Sequence, residues 1–253
     1  MERVAGQLAD PLFDERQLLS PEDLTADERQ MVPRWWLEAA TLPAADAAEF
    51  VIAQWNSVLP GRLPATLELF RRRAAGVYLT RVDDGAVVLV YALHDETGDP
   101  DQFPFVCWYG HPPRRHLVNP RVDLELLPRG IRAMYSEIHD HFYLAPFEST
   151  GFMPSKEIFR LDGDPGRWKY ENTNGTGIPD SNNMIPIVLH DTGSVCIELA
   201  GDRNEDDITG WLLYEASLVF AGPMWDAIDQ RLVELCRLGV DELGDPPHDV
   251  RVR

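Results

Sequence analysis

The sequence contains very little lysine and an excess of acidic side chains. Lys156 and Lys169 are its two lysines, and 23 Lys and Arg stand against 42 Asp and Glu among 253 residues, a formal net charge of −19. Such a surface repels nucleic acid and anionic lipid, so we expect no direct binding to either. It favours the capture of a basic partner by electrostatic steering. Negative charge also promotes solubility on its own, which is the simpler explanation.

Cysteine is also scarce. Cys107, Cys196 and Cys236 lie far apart, and the absence of a Cys-x-x-Cys pair argues against a thiolate zinc site. Each lies in an apolar run, so we expect three reduced core residues in a cytoplasmic protein. The first residues lack the apolar stretch of a signal peptide, and no apolar run approaches the length of a membrane span.

The order of predicted elements indicates an α+β fold with strands packed against helices. Residues 1–19 are mixed and acidic, which predicts a loosely held lead-in. Residues 20–116 read as helices followed by a β-hairpin that turns at residues 83–85, Asp-Asp-Gly. A proline-rich connector ends this half. Residues 117–240 then alternate strands and helices and close with a helix, and 241–253 form a tail.

The stretch IVLHDTGSVCIEL, residues 187–199, has the pattern of an aspartic protease loop. It would present Asp191 as a catalytic acid, but such an enzyme needs two carboxylates that share a proton, so the second would come from a dimer. The supporting segment at 220–222 follows too soon for the strands that should intervene, and His190 stands where an apolar residue is usual. An ordinary turn between two strands explains the same residues.

Histidines at HDHF raise the question of a metal site. His139 and His141 could ligate a metal ion, with Asp140 or Glu137 nearby and a third ligand from His116 or His190. The alternative is that they end a helix, where the helix dipole favours histidine. We expect the second arrangement, and therefore no metal, no cofactor and no catalytic residues.

Two acidic loops are the candidate surface for a partner. Their charge and loop position motivate this prediction. The residues are Asp202, Glu205, Asp206 and Asp207 in one loop, and Asp95, Glu96, Asp99 and Asp101 in the other.

The second half of the chain resembles the SUKH superfamily, which includes bacterial immunity proteins and yeast regulators of cell-wall synthesis. The resemblance rests on the order of LPRGIRAMYSEIHDHFY, GFMPSKEIFRL, MIPIVLHDTGSVCIEL, ITGWLLYEASLVF and a closing helix PMWDAIDQRLVEL. Residues 197–199 match the family's emerging strand, while Asp191 and Gly193 match the preceding turn. The similarity covers residues 117–238. HDHFYLAPFESTG replaces the family's usual glycine-rich end of the first helix, and the loop at 162–183 is long.

The resemblance implies a non-enzymatic α+β domain, with a twisted, mostly antiparallel sheet against helices and an N-terminal helical and β extension. It also implies an immunity protein that binds and occludes a cognate bacterial toxin, such as a nuclease or another nucleic-acid-modifying enzyme. The acidic charge agrees with this independently, because such toxins present a basic cleft. Two alternatives stay open: an aspartic-type hydrolase that uses Asp191 as a dimer, and a housekeeping scaffold or interaction protein of the same fold.

Overall fold

The computed structural model describes residues 1–10, 16–83, 85–96, 104–161, 169–171, 175, 177–201 and 203–237. Eleven strands lie within them: β1 Leu18–Leu19, β2 Ala74–Arg81, β3 Val87–His94, β4 Phe105–Gly110, β5 Phe142–Ala145, β6 Gly151–Phe152, β7 Lys169–Glu171, β8 Met184–Leu189, β9 Ser194–Glu198, β10 Thr209–Tyr214 and β11 Ser217–Pro223. They form one sheet in the order β1-β2-β3-β4-β5-β6-β8-β9-β10-β11-β7. Neighbouring strands are antiparallel except β11 and β7, which are parallel.

Seven α-helices accompany the sheet in the described parts of the chain. They are α1 Glu2–Leu8, α2 Ala26–Met31, α3 Arg34–Ala39, α4 Ala44–Val58, α5 Pro64–Arg73, α6 Arg129–Ala133 and α7 Met224–Arg237. A π-helix, Met134–Ile138, continues α6. The predicted combination of a mostly antiparallel sheet with helices is thereby confirmed.

Local sequence signals account for the long helices and the hairpins. In α4, Val51, Ile52 and Trp55 are buried on one side, as their helical spacing predicts. Strands β2 and β3 pair antiparallel on either side of the turn predicted at 83–85, whose middle residue, Asp84, lies outside the described residues. The turn predicted at 191–193 joins antiparallel β8 and β9. These elements form where predicted because turn chemistry and apolar periodicity act within a few residues.

Helix α5 is capped from a distance. Its flanking residue Leu63 lies in the left-handed region and gives no side-chain cap. The buried carboxylate of Asp229 in α7 instead accepts hydrogen bonds from the amides of Ala65 and Thr66, both at 2.8 Å. Free amides at a helix start attract an acceptor, and here a second helix supplies it. This contact fixes α5 against α7.

The amino-terminal residues pack against the sheet, which differs from the predicted loose lead-in. Val4 and Leu8 of α1 are buried against the face of β2–β5 that lies opposite the main core. Gln7 donates to the Phe105 carbonyl at 2.6 Å and accepts from the Phe105 amide at 3.0 Å. A single amide side chain thus satisfies both backbone groups of one strand residue. The predicted division at residue 116 stays a prediction, and the sheet runs across it where β4 pairs with β5.

A chain of buried hydrogen bonds crosses the main core. The Trp55 indole donates to the Tyr91 hydroxyl at 3.1 Å, and that hydroxyl lies 2.7 Å from His139 Nε2. The other imidazole nitrogen lies 3.3 Å from the His111 carbonyl. All these groups are satisfied when Tyr91 donates to a neutral His139 whose Nδ1–H donates to His111. Gly110 makes room for the imidazole, because a Cβ there would lie 2.2 Å from His139 Cε1.

We expect Gly110→Ala to destabilise the fold by about 1–3 kcal/mol, because the added methyl overpacks the His139 ring. The matched control is Gly6→Ala in α1, whose Cβ would meet nothing within 4 Å. That change should be neutral or stabilising by up to about 1 kcal/mol, since alanine is the better helix former. Urea unfolding of both variants measures the difference, and equal stability would contradict the tight fit at Gly110.

Candidate functional site

The predicted acidic loop before β10 contains a 3₁₀ turn, Glu205–Asp207, which we call the acidic turn. Glu205 accepts from the Gly130 amide of α6 at 2.7 Å and pairs with Arg62 at 2.9 Å. Arg62 also reaches Asp206 at 2.6 Å, and its guanidinium lies 5.8 Å from the Trp225 ring centroid. Glu205 is therefore a structural anchor that holds the turn against α6 and Arg62.

The neighbouring carboxylates remain available to solvent. The Asp206 side chain is 58% exposed against 19% for Glu205. Asp207 is exposed, and so is Asp226 in the first turn of α7. The Met224 amide donates to the Ile208 carbonyl at 2.9 Å, which brings the end of the turn to the start of α7. The acidic turn and Asp226 together form an acidic face. Asp202, also predicted here, lies outside the described residues.

The second predicted loop differs from expectation at Asp95. Its side chain is only 1% exposed and lies 3.9 Å from the guanidinium of Arg73, which is itself buried. A carboxylate whose side chain is this buried is not placed to contact a partner protein directly. Glu96 is exposed. Asp99 and Asp101 lie outside the described residues.

The two acidic loops lie at opposite ends of α7. Arg73 contacts Asp95 and donates to the Cys236 carbonyl at 3.0 Å, near the carboxyl end of the helix. Arg62 joins the acidic turn to Trp225, near the amino end. The helix has 14 residues and thus spans about 20 Å. The described parts of the two loops therefore do not form one continuous patch.

Asp191 is an exposed residue at the tip of the β8–β9 hairpin. Its neighbours are tied to α7, because Arg231 donates to His190 Nδ1 and to the Thr192 hydroxyl, each at 2.9 Å. Burial and the Arg231 charge lower the pKa of His190, which keeps Nδ1 available as an acceptor. The hydrogen bonds around Asp191 thus serve to anchor a hairpin, as the turn interpretation predicts.

Neither histidine of HDHF is presented to solvent. The helix ends at Ile138, and His139 is extended and fully buried. His141 Nε2 lies 3.1 Å from the Glu148 carbonyl, and its ring stacks on Tyr143 at 4.4 Å between centroids. Burial lowers the pKa of both histidines to about 3. Both are neutral, so packing positions them and the predicted attraction to the helix dipole does not.

Among the described residues, no group of three or more His, Cys, Asp or Glu side chains is placed to hold a metal ion. Asp140, between the two histidines, is engaged by Arg114 at 2.7 Å and is 5% exposed. Burial raises the pKa of this carboxyl, and hydrogen bonding to Ser155 and the charge of Arg114 oppose that rise.

The cysteines lie where the sequence predicts. Cys107, Cys196 and Cys236 are free and buried. Burial raises the pKa of the Cys107 and Cys236 thiols to about 12, and it raises that of Cys196 as well. Such thiols carry no thiolate near neutral pH, so they are inert packing residues.

Sequence reasoning missed a groove on the outer face of α6, which we call the arginine groove. It has a volume of about 540 Å³, and Arg115, Arg129 and Arg132 line it. A second depression of about 370 Å³ shares Arg129 and Arg132 and adds Arg62 and Arg203. The available signal was the spacing of Arg129 and Arg132, three residues apart on one helix face. The large acidic excess of the whole chain concealed it.

Comparison with known proteins leaves the classification to the structure. No family model, curated protein or solved structure matches the chain. The fold defines a mixed α and β protein built on one large, mostly antiparallel sheet. In the described part of the chain, no helix is both long enough and apolar enough to cross a membrane. Membership of the SUKH superfamily stays a prediction.

We expect Glu205→Ala to lower the free energy of unfolding by about 1–2 kcal/mol, because the Gly130 amide and Arg62 lose a charged acceptor. Asp207→Ala removes the same charge from an exposed position of the same turn and should change stability by less than about 0.5 kcal/mol. Urea denaturation of the two variants tests this. Equal losses would mean that Glu205 does not anchor the turn.

Acidification should destabilise the protein through its buried histidines. The pKa of His139 and His141 is about 3 in the folded state, against 6.5 for an ordinary histidine. Between these values the unfolded chain binds protons that the folded chain does not. Through these histidines, the free energy of unfolding is therefore highest above pH 6.5. It falls as the pH is lowered, by about 1 kcal/mol per pH unit for each histidine.

His141→Phe keeps the ring and removes one titrating group, so its stability should fall less steeply between about pH 6.5 and pH 5. The exposed His116→Phe is the control for the replacement of a surface histidine by phenylalanine. Asp140, with its raised pKa, acts in the opposite direction just above its ordinary value of 3.8, and His190 acts in the same direction as the buried pair. Chemical denaturation at each pH measures the slope. Identical slopes for His141→Phe and the wild type would contradict the prediction.

Proposed function

We propose that this protein is a non-enzymatic binding protein, an immunity protein that captures and occludes a basic bacterial toxin in the cytoplasm. The observation that carries the proposal is the acidic face formed by the acidic turn and Asp226. Asp206, Asp207 and Asp226 are exposed there on anchored elements. The resemblance to the SUKH superfamily and the net charge of −19 support the same proposal from the sequence.

Preorganisation makes the acidic face suitable for binding. Glu205 holds the acidic turn in place through the Gly130 amide and Arg62. The backbone that carries the exposed carboxylates of the turn is therefore positioned before a partner binds. Binding then costs little additional ordering of the chain, because the turn and helix α7 are already in place. A flexible acidic loop of equal charge would lose more entropy on binding.

The proposed mechanism is occlusion with electrostatic steering. A nucleic-acid-modifying toxin must present cationic side chains to phosphates, and the acidic face would compete for that cleft. Asp206 already pairs with Arg62 at 2.6 Å, so a toxin cation would share or replace this contact. Asp207 and Asp226 carry no ion pair with a described residue and would meet the toxin first. The attraction should weaken with salt, since exposed charges are screened beyond about 8–10 Å at physiological ionic strength.

The test begins with a search of the adjacent genes for one that encodes a basic protein, which is then expressed as the toxin in cells that also carry this chain. Wild type should restore growth. The triple variant Asp206→Lys, Asp207→Lys and Asp226→Lys should fail to do so, and its association in surface plasmon resonance at low salt should be at least about tenfold slower.

The control triple variant is Glu22→Lys, Asp27→Lys and Asp46→Lys. These residues are exposed and distant in sequence from the acidic face. The control variant changes the net charge by the same amount. It should protect cells like the wild type. If both triple variants protect equally, or if the wild type gives no protection, the acidic face is not the toxin site. Asp191→Asn separates the hydrolase alternative, because a binding protein keeps full protection with this change.

A further inference from the structure

The arginine groove has the dimensions of a small-molecule site. One wall is the connector at residues 115–118, and the other is the outer face of α6 and the π-helix, with Arg129, Arg132 and Ser136 at helical spacing. Its volume of about 540 Å³ lies within the ~300–1,000 Å³ that ligand pockets usually have. The π-helix is closed by the His139 amide, which donates to the Met134 carbonyl at 2.8 Å. Such turns are frequent at functional sites.

Two arginines of this groove are not engaged elsewhere. Arg132 pairs with Glu125 at the end of the groove. The side chains of Arg115 and Arg129 are exposed and make no hydrogen bond or ion pair with any residue that the structure describes. Arg71 and Arg81, by contrast, are each bound to carboxylates on the protein surface. The groove thus keeps two guanidinium groups free for a ligand.

The net charge of the whole chain does not prevent an anion from binding here. Exposed charges farther than about 8–10 Å are largely screened at physiological ionic strength, so the groups that line the groove dominate. Glu125 is already neutralised by Arg132. Glu137 is exposed and lines the groove, so one carboxylate opposes two free guanidinium groups. The local balance is cationic.

We propose that the arginine groove binds a small organic phosphate. Guanidinium groups offer paired donors that match the oxygens of a phosphate, so Arg115 and Arg129 would hold that group from the two walls. Leu117 and Val118 supply an apolar surface for the organic part, and the Val118 side chain is 73% exposed. The Ser136 hydroxyl, on the facing wall, adds a further polar group. This site is separate in kind from the proposed toxin surface, which attracts cations.

The test is isothermal titration of the full chain with adenosine monophosphate, inorganic phosphate and adenosine, all at one constant ionic strength. Adenosine monophosphate should bind saturably, inorganic phosphate more weakly and adenosine not at all. Arg115→Gln and Arg129→Gln should each weaken binding of the monophosphate about tenfold, because each removes charge-assisted hydrogen bonds.

Arg34→Gln is the matched control, since Arg34 is exposed at the start of α3 and has no ion pair with a described residue. It should leave the affinity unchanged, and thermal unfolding should show all three variants folded. The proposal is overturned if the wild type does not bind the monophosphate saturably, if Arg34→Gln weakens binding as much as the groove variants, or if adenosine binds equally well. Inorganic phosphate binding as tightly as the monophosphate would overturn the role of Leu117 and Val118. None of these outcomes depends on a toxin partner.

Discussion

The buried hydrogen bonds from Trp55 through Tyr91 to His139 join three parts of the chain at one point. Trp55 belongs to α4 and Tyr91 to strand β3, and His139 directly follows the π-helix. Phe142 stacks on the His139 ring with an interplanar angle of 9° and on Trp108 with an angle of 23°. Polar atoms inside an apolar core are tolerated only when all are satisfied, and this arrangement satisfies them with a neutral imidazole. These hydrogen bonds therefore join α4, β3 and the segment after the π-helix at one buried point.

Buried arginines also join separate elements of the chain at the periphery of the core. Arg73 donates to the His94 carbonyl at 2.6 Å and to the Cys236 carbonyl, and so joins the end of β3 to the end of α7. Arg231 ties α7 to the β8–β9 hairpin through His190 and Thr192. Buried carboxylates accompany these cations, since the side chains of Asp95, Asp140 and Asp229 are buried as well. The described interior therefore takes charges of both signs from the surface.

The parts of the fold that could be predicted from the sequence are those determined within a few residues. The antiparallel pairing on either side of residues 83–85, the turn at 191–193 and the buried side of α4 follow from local turn chemistry and periodicity, and the structure confirms them. The cap that Asp229 gives to α5 could not be predicted, because it joins residues more than 160 positions apart. The packing of α1 depends in the same way on Gln7 meeting Phe105.

The candidate site shows the same limit. Charge and loop position correctly indicate that Asp206, Asp207 and Glu96 are exposed. They do not distinguish Asp95, whose side chain is buried and lies 3.9 Å from Arg73 at the end of α5. The arginine groove escaped notice for the same reason, since Arg115 and Arg129 become neighbours across a groove only in the folded chain. The tertiary structure determines which charged side chains pair, whereas the composition gives only the net charge.

Glu205 connects the two surfaces to which we assign functions. It anchors the acidic turn through Gly130, which follows Arg129 at the start of α6, and it lines the depression that shares Arg129 and Arg132 with the arginine groove. A cation that draws Asp206 away from Arg62 leaves that guanidinium, which also lines the depression, less neutralised. The electrostatic field of the Arg62 guanidinium would then favour an anion in the depression. Opposite charges a few ångströms apart interact strongly in a partly buried setting. Any such coupling must be reciprocal, so an anion in the groove would raise the affinity of the acidic face for a cation by the same factor. The acidic turn thus lies between the acidic face and the depression beside the arginine groove.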